Sequence, residues 1–141
     1  MIIRDGMLDE ALLIHNNLAE LNSIHSIAYY LNRIASRQYK LLVAEVSGKI
    51  AGYKLGYWED NQNFYSWLGG VLPEYRRFGV AQQLLETQEA YVRAGGGHRI
   101  CVKSMNKYPG MLILLIKNGY CITNVVPSSS GENKIEFTKS L

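Results

Sequence analysis

The run Val71-Leu72-Pro73-Glu74-Tyr75-Arg76-Arg77-Phe78-Gly79-Val80-Ala81 restricts what this chain can become more than any other. Before it stands Phe64-Tyr65-Ser66-Trp67-Leu68-Gly69-Gly70, whose aromatic residues suit a pleated, half-buried surface. After it, Ala81, Leu84, Leu85, Gln88 and Val92 recur at helical spacing. The run is therefore a strand-to-helix turn. A helix start exposes backbone N–H groups that lack partners, and its dipole favours an anion. Gly79 has no Cβ to hold a phosphate off the backbone, and Arg76 and Arg77 add positive charge beside it. Such a turn suits a pyrophosphate. A glycine there also has a purely steric use, so the weight rests on context: strand before, helix after, paired arginines, and Gly69-Gly70 upstream.

The remaining residues set bounds. At 141 residues, a single domain spanning 1–141 is expected. The net charge of +3 admits an anionic ligand, and its scattered lysines and arginines give no nucleic-acid footprint. Cys101 and Cys121 form no close-spaced pair; isolated in apolar strands, they read as reduced, buried thiols and not as a zinc site, and no metal is expected. The beginning Met1-Ile2-Ile3-Arg4-Asp5 lacks a signal-peptide layout, and the longest aliphatic run, Met111 to Ile116, is too short to span a bilayer. A cytoplasmic protein without membrane contact is the expectation.

Taken in order, Met1 to Arg4 reads as a strand and Asp5-Gly6 as a turn. Leu8, Ala11, Leu12, His15 and Leu18 then keep a helical stripe. A second helix is predicted from about Ser23 to Ala35 on Ile24, Ile27, Ala28, Leu31 and Ile34. His15 and His25 read as polar-face or satisfied core residues, and Tyr29 and Tyr30 as packing residues or the lining of a substrate mouth. Lys40–Val46, Ile50–Trp58 and Phe64–Leu72 form an antiparallel meander, with Ser47-Gly48-Lys49 as the first hairpin turn. Gly52 and Gly56 mark a bulge or a close neighbour. The helix after the turn runs to about Ala94, where Gly95-Gly96-Gly97 stops it. Arg99–Lys103 is a strand parallel to Phe64–Leu72. A helix from Pro109 to Lys117 and strands Tyr120–Val126 and Lys134–Leu141 complete the chain.

The order β-α-α-β-β-β-α-β-α-β-β, with Arg76-x-x-Gly79-x-Ala81 between the fourth strand and its helix, resembles the GCN5-related N-acetyltransferase (GNAT) superfamily. The resemblance implies an α/β (α+β) fold: a mixed, largely antiparallel central sheet with helices on both faces. It implies an N-acetyltransferase that moves an acetyl group from acetyl-CoA to an amine of a small molecule or peptide. Val71, Leu72, Arg76, Arg77, Phe78, Gly79, Val80 and Ala81 then hold the donor. Gly69-Gly70-Val71-Leu72 serves its pantetheine arm, along a strand that splays from the next. Asn106, at a place where relatives contact the cofactor, is equally an ordinary turn former.

Two positions depart from the pattern. The tyrosine that many relatives use to protonate the leaving thiolate is Leu115 here, and Tyr108 is the nearest replacement. The glutamate base of some relatives is Tyr65. These departures keep a second reading in view, a non-catalytic module that binds acetyl-CoA or CoA, and beside it a plain interaction domain that binds nothing. The loops that would select the acceptor, Tyr29–Tyr39 and Pro127–Asn133, carry no diagnostic pattern, and a homodimer stays open.

Overall fold

The computed structural model describes residues 1–18 and 24–141. Its order is β1 (Ile2–Asp5), α1 (Leu8–Asn16), α2 (Ile27–Ile34), β2 (Tyr39–Val46), β3 (Lys49–Trp58), β4 (Asn63–Val71), a single 3-10 turn (Pro73–Tyr75), α3 (Val80–Ala94), β5 (Arg99–Met105), α4 (Pro109–Lys117), β6 (Cys121–Val126) and β7 (Lys134–Ser140). The strands form one sheet in the order β1-β2-β3-β4-β5-β7-β6. All neighbours are antiparallel except β4 and β5, which α3 joins by a crossover. This is the mixed sheet the sequence predicts.

Strand alternation divides the core into two layers. Leu41 and Val43 face α1 and α2, in a cluster with Ala11, Ile14, Tyr30, Ile34, Tyr53 and Leu55. Leu42 and Ala44 face the other way, against Val80 and Leu84 of α3. Farther along that second face, Leu85, Val92 and Leu115 pack on Phe64, Ile100 and Phe137. Helices therefore cover both faces. Ser47 and Gly48, at φ 51° and 75°, make the two-residue turn that matches strand twist in a tight hairpin.

Both glycines of β3 have close neighbours. A Cβ on Gly52 would stand 2.8 Å from the Gly70 carbonyl oxygen, and one on Gly56 would stand 2.4 Å from the Phe64 ring. Each also adjoins a bulge, at Ala44/Glu45 and at Leu55/Gly56.

The second helix differs from the prediction. It begins at Ile27, with Ser26 Oγ accepting a hydrogen bond from Tyr29 N–H as its N-cap; the predicted start, Ser23, lies outside the described residues. Its buried face is Tyr30 and Ile34, while Ile24, Ile27 and Leu31 are exposed. Counting aliphatic residues misplaced that face, because Tyr30 is the longer apolar body and packs edge-on to Trp67.

The cysteines also differ from expectation in burial: Cys101 is half-buried and Cys121 exposed. Cys101 of β5 and Cys121 of β6 both pair with Thr138, on opposite sides of β7. Two strand spacings, about 9–10 Å, exceed the span a disulfide can bridge. Mild reduction is expected to leave the melting temperature unchanged; a drop on adding dithiothreitol would contradict this.

Candidate active site

The site starts where β4 leaves β5. The two strands pair at Asn63↔Arg99, Phe64↔Ile100, Tyr65↔Cys101 and Ser66↔Val102, and no farther. Beyond Ser66, β4 stays with β3 as far as Val71, while β5 stays with β7 as far as Met105. The parting coincides with a bulge. Leu68 pairs with Leu55 and Ser66 with Gly56, so Trp67 is the extra residue. An extra residue bends its strand and re-aims side chains. Here Trp67 and Leu68 both fall on the α1–α2 face, while Gly69 falls on the α3 face opposite Lys54.

The gap is a cleft of about 1090 Å³. Its floor is β4 from Tyr65 to Val71, its far wall Val102 to Met105, and Tyr108 to Met111 close one side. Backbone amides of β4 that would have met β5 edge this gap without a strand partner. At its α3 end, Gly79 takes φ 77° as N-cap, a left-handed conformation that glycine adopts without strain. No side chain caps α3, and its first backbone hydrogen bond is Gln83 N–H to Gly79 C=O, 3.0 Å. The donors before Gln83 are thus outside the helical ladder. Arg76 Nε donates to Val71 C=O at 3.0 Å and ties the turn to the end of β4. Arg77 holds φ 68°, uncommon for a side chain of its size.

The opposite end of the cleft is aromatic. His15 and His25 stack with centroids 3.7 Å apart. Tyr29 leans on His25, and Tyr29 and Tyr30 both meet Trp67. His15 Nδ1 lies 3.3 Å from Tyr53 Oη, and His25 Nδ1 lies 3.4 Å from Tyr30 Oη. Burial, with His15's charge second, lowers His25 to about 4, so its ring is neutral at pH 7. Arg33 sits 5.1 Å over the Trp67 ring and donates from Nε to Tyr57 Oη at 3.2 Å. Among the described residues, the cleft is lined by lysines, arginines and histidines and by no carboxylate.

Of the residues singled out by sequence, Val71, Arg76, Arg77, Gly79, Val80, Ala81 and Tyr108 line this one cleft. Leu72, Phe78 and Asn106 do not, although Phe78 and Asn106 each sit between residues that do. Asn106 is exposed in the turn after β5. Tyr108 is half-buried at the N-cap of α4, with Lys107 Nζ 5.3 Å from its ring centre. Leu115 is fully buried in the core. Gly69 and Gly70 have close tertiary neighbours: a Cβ on Gly70 would stand 2.4 Å from Leu18 Cδ1, and one on Gly69 would stand 3.3 Å from the Tyr53 carbonyl oxygen. Sequence reasoning missed Lys54, His15, His25, Arg33 and Trp67 as cleft residues. The one signal near them was the tyrosine pair beside His25, read as lining a mouth or packing; Tyr29 lines the cleft and Tyr30 packs.

The "Acetyltransferase (GNAT) family" model matches residues 11–108. Among solved structures, the ribosomal-protein-S18-alanine N-acetyltransferase from Escherichia coli is similar at a TM-score of 0.83 and 17% identity, over 99% of this chain and 92% of that one. An aminoglycoside 6'-N-acetyltransferase complexed with coenzyme A is similar at 0.82 and 14% identity, over 99% and 97%. A GNAT family acetyltransferase from Elizabethkingia anophelis with acetyl-CoA bound is similar at 0.75 and 19% identity, over 99% and 97%. At these identities the structural likeness speaks for the fold.

The histidine stack carries a pH signature. The folded state holds His25 below its ordinary 6.5, so its contribution is complete above 6.5 and is lost as pH falls toward about 4. The melting temperature of the parent is expected to fall through that window, and that of His25→Asn to fall less. Parallel curves for the two proteins would sink this assignment.

Proposed function

This chain belongs to the GNAT acetyltransferase family, and on that premise we propose that it moves an acetyl group from acetyl-CoA to an amine of a small molecule or peptide. The observation that supports this most is the parting of β4 from β5 into a cleft that ends at the uncapped start of α3. In this reading the pantetheine arm lies along Gly69–Leu72 like an added strand, bonding to backbone groups that β5 has left. The pyrophosphate sits over the N–H groups of Phe78–Ala81, with Arg76 and Arg77 beside it and Asn106 at the rim. Relatives with bound coenzyme A or acetyl-CoA support the same donor.

The acceptor then enters from the aromatic end. Its nitrogen attacks the thioester carbon, the N–C bond forms, the C–S bond breaks, and the nitrogen gives its surplus proton to water. His25, neutral at pH 7, stands at that end of the cleft. Tyr108 supplies a proton from its hydroxyl to the sulfur. We place this activity in the cytoplasm, in one unit of 1–141 that works alone or as a homodimer. Among the described residues no helix is long and apolar enough to cross a membrane.

Saturating acetyl-CoA should raise the melting temperature, and a panel of amines should include one that releases free CoA thiol. No thermal shift and no thiol would overturn the reading; a shift with no thiol from any amine would select the binding module instead. Arg76→Ala should weaken acetyl-CoA about tenfold or more, a charge-assisted bond being worth about 1.5–3 kcal/mol, and should spare pantetheine fragments without phosphate. Equal losses in calorimetry would mean that Arg76 acts through the turn it ties to Val71. Tyr108→Phe should lower kcat by about a hundredfold with acetyl-CoA affinity nearly unchanged. Full-rate turnover by that variant would leave solvent as the acid.

A further inference from the structure

Lys54 is a buried cation that the fold does not balance. It sits in the middle of the central strand β3, paired with Leu42 on one side and Gly69 on the other, and is 7% exposed. Among the described residues it makes no hydrogen bond and no ion pair. Its one charged neighbour is Glu89 of α3. That carboxylate is already committed: it accepts from Tyr120 Oη at 2.8 Å and from Lys139 Nζ at 3.0 and 3.1 Å, with Arg93 at 3.8 Å. The other neighbours on this face, Leu42, Ala44, Val80 and Leu84, are apolar. Gln88, the neighbouring polar side chain of α3, is itself buried with both amide atoms unpartnered. A lone buried ammonium is costly unless something pairs with it.

The free side of Lys54 faces the cleft. It is one of the lining residues, and its Cγ lies 3.7 Å from where a Cβ on Gly69 would stand. Gly69 is beyond Ser66, on the part of β4 that β5 has left. The lysine stem therefore runs beside Gly69 at ordinary van der Waals distance. The sulfur of CoA is separated from its phosphates by an extended arm about as long as five strand residues. Laid from the α3 end along β4, that arm returns the sulfur to the level of Trp67–Gly69, the level of Lys54.

We propose that Lys54 is a catalytic cation of the acyl transfer, contacting the thioester sulfur and holding the CoA thiolate as it forms. This rests on the acetyl-CoA reading above. As the acceptor nitrogen bonds to the carbonyl carbon, the C–S electron pair passes to sulfur, and the thiolate pairs with the ammonium. The sulfur then takes a proton from Tyr108, which regains one from water, or from water directly; the acetylated nitrogen gives its proton to water, and Lys54 ends as it began. Burial holds Lys54 near 8, so it is mostly charged at pH 7 and gains from a new anion. Among the described residues, Glu89, with its three other partners, is the one titrating group felt by Lys54 from the elements packed on β3.

The test reads the thiol of bound CoA directly, by thiolate absorbance in the ultraviolet against pH, in the parent and in Lys54→Met. An opposite charge in contact lowers an acid's pKa by about 1–3, so the parent should hold the bound thiol at least one pH unit lower than the variant does. Lys54→Met should keep its acetyl-CoA affinity and lose about a hundredfold in kcat. An unchanged thiol titration overturns the proposal, whatever happens to the rate. A second measurement uses the parent alone: the lysine amines, labelled by reductive methylation with carbon-13, are titrated by NMR. CoA should raise the Lys54 pKa and S-methyl-CoA should not; an equal response to both ligands overturns the proposal even if the variant fails to fold. A parent that binds neither CoA nor acetyl-CoA removes the donor reading itself, and this inference with it.

Discussion

The parting of β4 from β5 after four paired positions is the constraint from which the rest of this molecule follows. Each strand keeps its outer partner, β3 for one and β7 for the other, so the sheet stays cohesive while a seam opens within it. The Trp67 bulge sits at the point of departure and adds the local bend that separation requires. It also turns the Trp67 indole into the aromatic end of the cleft and Gly69 toward Lys54. A continuous ladder between β4 and β5 would remove the cleft, the exposed backbone edge and both linings at once.

Charge is arranged around that seam in one sense. Arg76 and Arg77 stand at the α3 end, Lys54 at the middle, and Arg33 at the aromatic end. Lys103 and Lys107 on the far wall are paired with Glu136 at 3.7 Å and Glu132 at 3.2 Å, outside the cleft lining. With no carboxylate among the described lining residues, the field in the gap is positive. A ligand with several phosphates at one end and a sulfur that becomes anionic at the other suits such a field. Beneath α3, Glu89 gathers Tyr120, Lys139 and Arg93 and leaves Lys54 to the cleft.

Local patterning made most of the fold legible in the sequence. The turn at 71–81, the hairpin at Ser47-Gly48, the triple glycine after α3 and the strand periods are all decided by propensity and backbone geometry within a few residues, and the element order follows from them. The α3 end of the cleft was legible for the same reason: Arg76, Arg77, Gly79, Val80 and Ala81 are neighbours in the chain and are brought to the cleft by local geometry. Leu115, at the position where many relatives carry a tyrosine, is buried in the core.

Tertiary structure alone decided the aromatic end of the cleft and the surroundings of Lys54. His15 meets His25 and Tyr53 across elements 10 and 38 residues apart, and nothing local records such a stack. The rotation of α2 was set by the fit of Tyr30 against Trp67 and Tyr53, against the aliphatic pattern. Lys54 reads in sequence as an ordinary strand lysine between Tyr53 and Leu55. Only the folded sheet shows that both neighbouring strands and α3 cover it, that the nearest carboxylate is taken, and that its open side faces the seam. Burial and pairing are properties of the whole packing, and a one-dimensional pattern does not carry them.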